Sequence, residues 1–421
     1  MRQLYSFLFY ISMPFVMLRL LWRTRRNPAY AKRISERFGQ IPFAVKQNGI
    51  WWHSVSMGET LAAIPLIKLF QKNHPDIPIL VTTMTPSGSE QVIKNLDESV
   101  QHVYIPYDLP HLIVNFIKQL KPRLLILMET ELWPNVLYYC HQEKVPILLA
   151  NGRMSEKSAN GYARFSSLTQ EMMENITVIA AQNKEDGERF VRLGFPRERL
   201  VITGTIKFDI TISDDLLNKA KNLRSKWGLD RPVWIAASTH PGEEEIILEA
   251  AKKIPNALLI LAPRHPDRIK EVINLCQKAN LKYCLRSLGE LPDSATQVFL
   301  IDTLGELLLF YAVSDIAFVG GSLIPKGGHN LLEPAALGLP VITGESLYNF
   351  AEIERLLDTA KGLIKIKASE ELSREINELF QNTEKRDQMG NAAKNVVMSN
   401  KGATEKHLTL IEQNLKDNKQ A

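Results

Sequence analysis

Glycines and polar residues with a possible role in ligand binding cluster in the second half of the sequence. Gly-Gly-Ser occupies residues 320–322, and Lys-Gly-Gly-His-Asn occupies residues 326–330 before an apolar segment. Glycines let a backbone approach a ligand closely, Asn330 can cap a helix, and first-turn N–H groups bind phosphate. Glu333 lies in that turn, where its carboxylate can accept hydrogen bonds from ribose hydroxyls. We therefore predict a nucleotide site; an ordinary capped helix with Glu333 at its positive end is the alternative.

Two more donor-rich loops follow apolar segments of the same half and precede helical patterns. Ligands bind at the carboxyl ends of strands in open α/β sheets, so we predict that both loops contact the nucleotide. Arg264 offers a forked donor set for a phosphate, although an exposed loop arginine and a simple glycine turn are the alternatives. A third loop, residues 238–243, can be a helix cap or a ligand contact. The residues assigned to nucleotide contact are Pro263, Arg264, His265, Leu304, Gly305, Glu306, Asn330, Leu331, Leu332 and Glu333.

The first half of the sequence places a carboxylate at a strand-to-helix turn. Glu59 ends the sequence Trp-Trp-His-Ser-Val-Ser-Met-Gly-Glu at residues 51–59. A general base must be held within hydrogen-bond reach of the proton that it removes, and this turn would hold Glu59 rigidly. We predict that Glu59 deprotonates a sugar hydroxyl. A first-turn glutamate that stabilises the helix dipole is the alternative.

Glu129 and Glu131 follow the continuous apolar run at residues 124–128. Carboxylates are costly to bury unless they are paired or used, and residues two apart share a face if the strand continues through them. Either carboxylate can therefore reach a site, and solvated loop carboxylates are the alternative. Lys207, near the end of this half, can pair with an anionic substrate or be a solvated hinge lysine.

Short apolar segments alternate with helical patterns from residue 49 onward, which predicts parallel sheets with right-handed crossovers. Because the series restarts near Asp214, we predict two doubly wound Rossmann-like domains that face a cleft, the α/β architecture called GT-B. The predicted divisions are a membrane-anchor helix at 1–25, an acceptor-binding domain at 26–208, and a nucleotide-sugar-binding domain with a helical tail at 209–421. The predicted strands are 49–53, 77–83, 103–105, 124–128, 146–150, 178–181, 200–203, 233–237, 257–261, 298–301, 316–319 and 340–343.

Composition narrows the class of protein. The chain has 421 residues, 45% of them hydrophobic and 23% charged, which is typical of globular domains. Its three cysteines are scattered and odd in number, which argues against a disulfide framework and fits a reducing compartment. Neither an Asp-x-Asp motif nor a histidine cluster suggests a metal site. The net charge of +5 is a weak signal, and we expect no metal, no cofactor and no nucleic-acid partner.

The amino-terminal segment is predicted to bind a membrane. Residues 4–22 form an apolar run with about the 20 residues needed to cross a bilayer. Basic residues at 23–37 follow it, so the positive-inside rule places the rest of the chain in the cytoplasm. Only Arg2 precedes the run and no small-residue cleavage site follows it, unlike a signal peptide. A helix that lies in the interface, with Arg19 reaching the headgroups, is the alternative to a spanning helix.

Together these motifs resemble those of the 3-deoxy-D-manno-octulosonic acid (Kdo) transferases, inner-membrane enzymes that add Kdo to the lipid A precursor. The resemblance covers nearly the whole chain, whereas the glycine-rich run alone would indicate only GT-B. The matching segments are Glu-Arg-Phe-Gly at 36–39, His-Ser-Val-Ser-Met-Gly-Glu at 53–59, Glu-Thr-Glu-Leu-Trp-Pro-Asn at 129–135, Asn-Gly-Arg at 151–153, Gly-Thr-Ile-Lys-Phe-Asp at 204–209, Pro-Arg-His-Pro at 263–266 and the run at 320–334.

The resemblance implies an inverting, metal-independent transfer of Kdo from CMP-Kdo to a hydroxyl of lipid IVA. It implies Glu59 as the base, Glu129 and Lys207 as transition-state stabilisers, and CMP contacts on the ten residues assigned above. Such a transition state has oxocarbenium character beside the carboxylate of Kdo. A site with one cation and separate carboxylates would stabilise that charge pattern.

The acceptor would then lie near the basic segment, because lipid IVA carries phosphates and acyl chains. We expect Arg33 and Arg37 to orient it, and inner-membrane lipids to be further partners. Two other functions stay open from the residues alone. One is another GT-B enzyme, such as a UDP-sugar transferase or an epimerase; the other is a membrane-tethered nucleotide-binding module without catalysis.

Overall fold

The computed structural model describes residues 1–228 and 230–417. Helices and strands alternate along most of it. The strands are β1 (Ile50–His53), β2 (Ile79–Thr83), β3 (Gln101–Tyr104), β4 (Leu124–Met128), β5 (Ile147–Gly152), β6 (Val178–Ala181), β7 (Leu200–Ile202), β8 (Val233–Thr239), β9 (Leu258–Pro263), β10 (Tyr283–Leu285), β11 (Val298–Leu300), β12 (Ile316–Val319), β13 (Val341–Thr343) and β14 (Leu363–Lys365).

The α-helices fill most of the intervals between these strands, and short 3₁₀ turns complete several of the connections. The helices are α1 (Arg2–Arg26), α2 (Met57–Asn73), α3 (Pro86–Leu96), α4 (Pro110–Leu120), α5 (Pro134–Gln142), α6 (Glu156–Ala163), α7 (Ser166–Asn175), α8 (Lys184–Arg192), α9 (Asp214–Trp227), α10 (Glu243–Lys252), α11 (Ile269–Lys278), α12 (Leu307–Val313), α13 (Leu332–Ala336), α14 (Ala351–Thr359), α15 (Ser369–Gln381), α16 (Thr383–Ser399) and α17 (Ala403–Asp417).

The strands of the first sheet are parallel and lie in the order β3-β2-β1-β4-β5-β6-β7. Strand β1 is buried on both faces, with Trp51 in the apolar layer on one side and Trp52 in the layer on the other. The direction of the chain across the sheet reverses between β1 and β4. The loops that leave these two strands therefore flank the position where open α/β sheets bind ligands.

The strands of the second sheet are also parallel, in the order β10-β11-β9-β8-β12-β13-β14. Here the reversal falls between β8 and β12, so the loops after these strands occupy the corresponding position. Ser238 has a left-handed backbone with φ 57° and interrupts the register, so that Thr239 pairs with Pro263. The predicted α/β class with doubly wound parallel sheets is confirmed.

The described chain divides into two compact units, Met1–Lys207 with the segment from Lys401, and Phe208–Asn400. The predicted second domain, 209–421, included the whole helical tail, and this differs from the structure. Helix α17 packs Leu408, Ile411 and other apolar residues into the core of the first unit. Spacing within the tail predicted helices but carried no information on which sheet their apolar face would cover.

Helix α1 lies against the first unit along one face. The Arg2 guanidinium and the Ser6 hydroxyl donate to Asn135 Oδ1 over 2.9 and 3.1 Å. Asn135 is held in turn by buried Asp108, whose carboxylate accepts the N–H groups of Asn135 and Val136. Further along the helix, apolar residues between Phe9 and Met17 pack against residues 107–112 of the folded unit.

The sequence predicted most strands of both sheets within two residues. It missed β10 and β14, which are three-residue strands at the two edges of the second sheet. Edge strands are half-exposed and lack the continuous apolar run that identifies a central strand. The premise that strand β4 continues through Glu129 and Glu131 also fails, because β4 ends at Met128.

Replacing Ile411 with alanine should destabilise the first unit although residue 411 lies near the carboxyl end of the chain. Ile411 is fully buried, and truncating such a side chain costs about 2–5 kcal/mol. Hydrogen exchange followed by mass spectrometry would show faster exchange in peptides from β1 to β7. Lys406→Ala, on the exposed face of α17, is the control. Equal protection in both variants would contradict the assignment of α17 to this unit.

Candidate active site

Glu59 lies in the first turn of α2, directly after the loop that leaves β1. Ser56 caps the helix and accepts the Glu59 N–H at 3.4 Å. The Glu59 carboxylate accepts the Val55 N–H and the Ser56 hydroxyl, both over 2.7 Å. This arrangement resembles a capping box, in which a glutamate stabilises the start of a helix. Glu59 therefore does stabilise α2, as the alternative interpretation of the sequence predicted. The same arrangement also fixes the carboxylate in one orientation.

Burial changes the acidity of Glu59. The side chain is 9% exposed, and loss of solvent raises its pKa to about 7 against the lowering effect of its hydrogen bonds. The negative charges of Glu131 and Glu129 raise this pKa further. A carboxylate with a pKa near neutrality accepts a proton more readily than an ordinary glutamate, which is what a general base requires.

Glu129 and Glu131 both lie in the loop that leaves β4. Glu129 has a left-handed backbone with φ 58°, and its N–H bonds to the Ala150 carbonyl. Glu131 accepts the Trp133 indole N–H at 3.0 Å, and burial followed by the Glu129 charge raises its pKa. The loops after β1 and β4 thus bring three carboxylates together at the switch point of the first sheet.

Two buried polar residues beside this cluster were quoted in the sequence motifs but not assigned a role. His53, at the end of β1, contacts Thr82 through Nδ1, while its Nε2 atom has no hydrogen-bond partner among the residues described. Burial lowers the pKa of His53 to about 4, so the ring is neutral near pH 7. Asn151, at the end of β5, accepts the Ile206 N–H, and its Nδ2 atom also lacks a partner in the described chain.

Lys207 is the last residue of the first unit before the chain enters the second. It lies in a 3₁₀ turn at Ile206–Phe208, between the buried side chains of Ile206 and Phe208, and its own side chain is exposed. In the part of the chain that the structure describes, its ammonium makes no ion pair. The solvated hinge lysine and the substrate-binding lysine both fit this position.

Arg33 and Arg37, the basic residues predicted to orient the acceptor, make contacts within the first unit. Arg37 is 3% exposed, donates to the Met84 carbonyl and lies over the Tyr104 ring at 4.3 Å. Arg33 pairs with Glu36 and donates to the His102 carbonyl. Both arginines therefore attach the 3₁₀ segment that follows α1 to the first sheet. Sequence spacing could not distinguish them from the exposed basic residues Arg19, Arg23, Arg25, Arg26 and Lys32.

The Gly-Gly-Ser turn after β12 is occupied by a side chain of its own unit. Glu243 is fully buried, and its carboxylate accepts the N–H groups of His240, Gly321, Ser322 and Leu323 over 2.7–3.0 Å. A Cβ at Gly320 would lie 2.7 Å from the Ser238 carbonyl, so this glycine permits contact with the neighbouring loop. These N–H groups are therefore bonded to protein and do not donate to a ligand in this arrangement, and the predicted ligand approach at residues 320–322 stays a prediction.

The second glycine pair leads into the predicted helix cap. Gly327 and Gly328 have left-handed φ values of 87° and 75°, and a Cβ at either would lie 2.4 Å from a side-chain atom. The N-cap position of α13 is Leu331 and not, as predicted, Asn330; Asn330, one residue earlier, accepts the Leu332 N–H at 3.0 Å and donates to Glu333 at 3.1 Å. Leu331 and Leu332 are buried, so only their backbone can face a ligand.

The loops after β8, β9 and β12 bring three histidines and an arginine together. His240 and His329 stack with their Nε2 atoms 2.8 Å apart, and His265 lies edge-on to His240. Burial lowers the pKa of His329 to about 4, and the nearby Arg264 charge lowers it further. Pro263 ends β9, while Arg264 and His265 are exposed beside this pair. The His329 ring is therefore neutral near pH 7, and Arg264 supplies the positive charge that a phosphate site requires.

The loop at 304–306 follows β11, the neighbour of β9 in the sheet. Leu304 is exposed, and Gly305 has a left-handed φ of 88°. Glu306 forms a forked ion pair with Arg286 at 2.7 and 3.1 Å. The Glu306 carboxylate is thus held by protein, which leaves the backbone of this loop for a base edge. Among the described residues, His, Cys, Asp and Glu side chains form no group of three or more that could hold a metal ion.

Known proteins are similar to this chain over both of its units. Residues 32–210 match the family model described as 3-deoxy-D-manno-octulosonic-acid transferase, and residues 245–396 match glycosyl transferases group 1. A 3-deoxy-D-manno-octulosonic acid transferase of Haemophilus influenzae is 43% identical over 424 residues, covering 99% of both chains. The chain belongs to the Kdo transferase family. A probable mitochondrial member from Arabidopsis thaliana is 34% identical and covers 94% of this chain and 92% of its own.

The fold of this Kdo transferase also occurs outside the family. UDP-GlcNAc 2-epimerase from Neisseria meningitidis, solved with UDP-GlcNAc bound, superposes with a TM-score of 0.56. It covers 88% of this chain and all of its own, at 15% identity. The likeness confirms the predicted GT-B fold. Membership of the family makes the chain a glycosyltransferase, whereas the roles predicted for its individual site residues stay predictions.

Glu243→Gln should destabilise the second unit although the change is nearly isosteric. A glutamine has only one acceptor oxygen for four N–H groups, and a buried unsatisfied group costs about 1–3 kcal/mol. Hydrogen exchange in peptides from β8 to β14 would report the loss. Glu245→Gln, at an exposed position of the same helix, is the control. If both variants exchange alike, Glu243 does not hold the glycine turn.

Proposed function

We propose that this Kdo transferase moves Kdo from CMP-Kdo to a hydroxyl of lipid IVA, with inversion and without a metal ion, in lipopolysaccharide synthesis. The observation that carries the proposal is the buried Glu59 carboxylate at the switch point of the first sheet, with a pKa of about 7. It is the kind of group that removes a proton from a sugar hydroxyl. An epimerase or a binding module transfers no sugar to an acceptor, so it would not remove a proton from an acceptor hydroxyl.

Glu59 acts in this proposal as the general base. Val55 and Ser56 hold its two oxygens, and the carboxylate retains a free lone-pair direction on each oxygen for the acceptor hydroxyl. The neighbouring charges of Glu129 and Glu131 disfavour a further negative charge on Glu59, so proton uptake is favourable. As the hydroxyl attacks the anomeric carbon, Glu59 takes its proton.

Glu129 and Lys207 are proposed to stabilise the charges that develop on Kdo. The positively charged sugar ring favours a nearby carboxylate, which Glu129 supplies beside Glu59. The carboxylate of Kdo favours a cation, and the Lys207 ammonium is exposed and makes no ion pair with another described residue. CMP departs as a phosphate monoester anion, which the loops of the second unit would bind.

The proposed CMP contacts are the ten residues predicted from the sequence, all of which follow strands of the second sheet. Arg264 can donate to the phosphate, and the cationic surroundings of His240 include Lys326 and Arg268. Glu333 is held by Asn330 and can accept ribose hydroxyls with its second oxygen. Backbone groups of residues 304–306 would contact the base. The donor itself is the only small-molecule partner in this scheme, with no separate cofactor.

We further propose that α1 binds the cytoplasmic face of the inner membrane without crossing it. Among the described helices it is long and apolar enough to span a bilayer by length and composition. Its contacts with Asn135 and with residues 107–112 run along the folded unit, and a spanning helix would lose them. The opposite face exposes an apolar stripe at helical spacing, formed by Leu4, Phe7, Leu8, Ile11, Phe15, Leu18, Leu21 and Trp22.

Incubation of the purified full-length chain with CMP-Kdo and lipid IVA tests the activity. Mass spectrometry should show lipid that has gained Kdo, in the presence of EDTA because the scheme uses no metal ion. Excess CMP should inhibit the transfer, and UDP should not. Transfer from a UDP-sugar, or CMP binding without consumption of CMP-Kdo, would overturn the proposal.

Glu59→Gln should lower kcat by about 100- to 10,000-fold, the usual contribution of a general base. Only the ionised carboxylate accepts a proton, so wild-type kcat/KM should rise with pH through an apparent pKa near 7 and fall below it. Glutamine keeps an acceptor oxygen, so CMP binding and folding should persist. Glu90→Gln, exposed on α3, is the control. A profile flat from about pH 5 to 8 would rule out Glu59 as the base.

A cysteine at either end of α1 tests whether the helix crosses the membrane. The native cysteines are buried, so a membrane-impermeant maleimide should label Gln3→Cys and Lys32→Cys selectively. For a helix that lies in the interface, both variants react in inverted membrane vesicles and neither reacts in intact spheroplasts. Labelling of Gln3→Cys in spheroplasts alone would show that α1 spans the bilayer.

A further inference from the structure

An apolar cavity of about 610 Å³ lies between the first turns of α1 and helix α7. Ligand pockets typically measure about 300–1,000 Å³, so the space is large enough for a bound molecule. Its walls are almost entirely apolar, and the Thr169 hydroxyl in the lining is already bonded to the Tyr162 carbonyl. The residues that define it best are Leu4, Leu8, Trp133, Phe165, Leu168 and Met172.

One side of this cavity borders the carboxylate cluster. Trp133 lines the cavity and donates its indole N–H to Glu131. Tyr162, another lining residue, has its pKa raised to about 12 by burial and by the Glu131 charge. The negative charge of Glu131 also raises the pKa of Glu59. A molecule whose hydroxyl reaches Glu59 can therefore place an adjoining apolar part in the cavity.

Another side of the cavity belongs to the apolar stripe of α1. Leu4 and Leu8 line the cavity and are also 51% and 55% exposed. An apolar chain can therefore pass from a membrane surface at α1 into the cavity along a continuous apolar path. A lipid acceptor has apolar chains that could occupy such a path, whereas a free sugar acceptor has none.

We propose that this cavity binds one acyl chain of the lipid acceptor while the sugar of that lipid lies at the carboxylate cluster. The inference rests on the proposed function, and it adds a site that selects the acceptor by its chain. The occupant is the acceptor's own chain and not a chain of the surrounding bilayer, because the cavity adjoins the carboxylates at which that acceptor reacts.

Leu8→Trp tests the site, because a larger side chain at this half-exposed position can fill the cavity without disturbing the core. The assay compares lipid IVA with the same disaccharide after its acyl chains are removed, both in detergent micelles. The variant should raise KM for lipid IVA about tenfold, which corresponds to withdrawing roughly two methylenes from apolar contact. KM for the deacylated sugar should not change. Ile93→Trp, equally exposed on α3 of the same unit, is the control.

A second measurement does not depend on turnover. Bromine quenches indole fluorescence at short range, so lipid IVA with brominated chains should quench Trp133 in a Trp22→Phe background. Leu8→Phe in the same background adds bulk without a second indole, and it should weaken the quenching if the cavity is filled. Circular dichroism melting curves confirm that each variant is folded.

The outcomes separate the two proposals. If the wild type transfers Kdo to neither acceptor, the proposed function fails. If it transfers Kdo but Leu8→Trp leaves both KM values unchanged and Leu8→Phe leaves the quenching unchanged, the acyl-chain site is overturned. Reduced sedimentation with phospholipid vesicles together with an unchanged KM for lipid IVA would assign the cavity to a bilayer chain, and would also overturn it.

Discussion

The structure depends on how a buried glutamate is bonded at the switch point of each sheet. Glu243 accepts four backbone N–H groups, so both oxygens are used to hold the glycine turn of the second unit. Glu59 accepts one backbone N–H and one hydroxyl, which orient it without saturating it. Both are at equivalent places in doubly wound sheets, where strand ends leave N–H groups unpaired. The number of donors around each carboxylate separates the structural role of Glu243 from the chemical role proposed for Glu59.

Unsaturated bonding explains why Glu59 can be reactive. Burial raises the free energy of its charge, and only two hydrogen bonds oppose that effect, while Glu129 and Glu131 add repulsion. The result is a carboxylate near the midpoint of its titration at neutral pH. Burial raises the pKa of Glu243 as well, against its four N–H donors, so what distinguishes Glu59 is that its oxygens keep lone-pair directions free for a substrate hydroxyl. Fixed orientation and raised proton affinity are thus produced by the same short loop after β1.

In the proposed scheme, helix α1 joins this chemistry to a lipid surface through its two faces. One face is fixed by polar contacts to Asn135 and by apolar packing, and the other leaves large apolar side chains uncovered. Because the cavity beside Glu131 opens along the same helix, the membrane attachment and the acceptor selection that we propose share residues such as Leu8. This arrangement would suit an enzyme whose acceptor is held in a membrane by its acyl chains and reacts through its sugar.

The sequence by itself determined the fold class, nearly all central strands and the loops that follow the strands. Local periodicity and turn chemistry are written in neighbouring residues, so they can be read in that way. Tertiary structure alone decided that Arg33 and Arg37 support the segment after α1, that α17 completes the first unit, and that Glu243 occupies the glycine turn. Each of these depends on partners distant in sequence. Burial and hydrogen-bond donors, which set the role of a charged side chain, are properties of the folded neighbourhood and not of spacing.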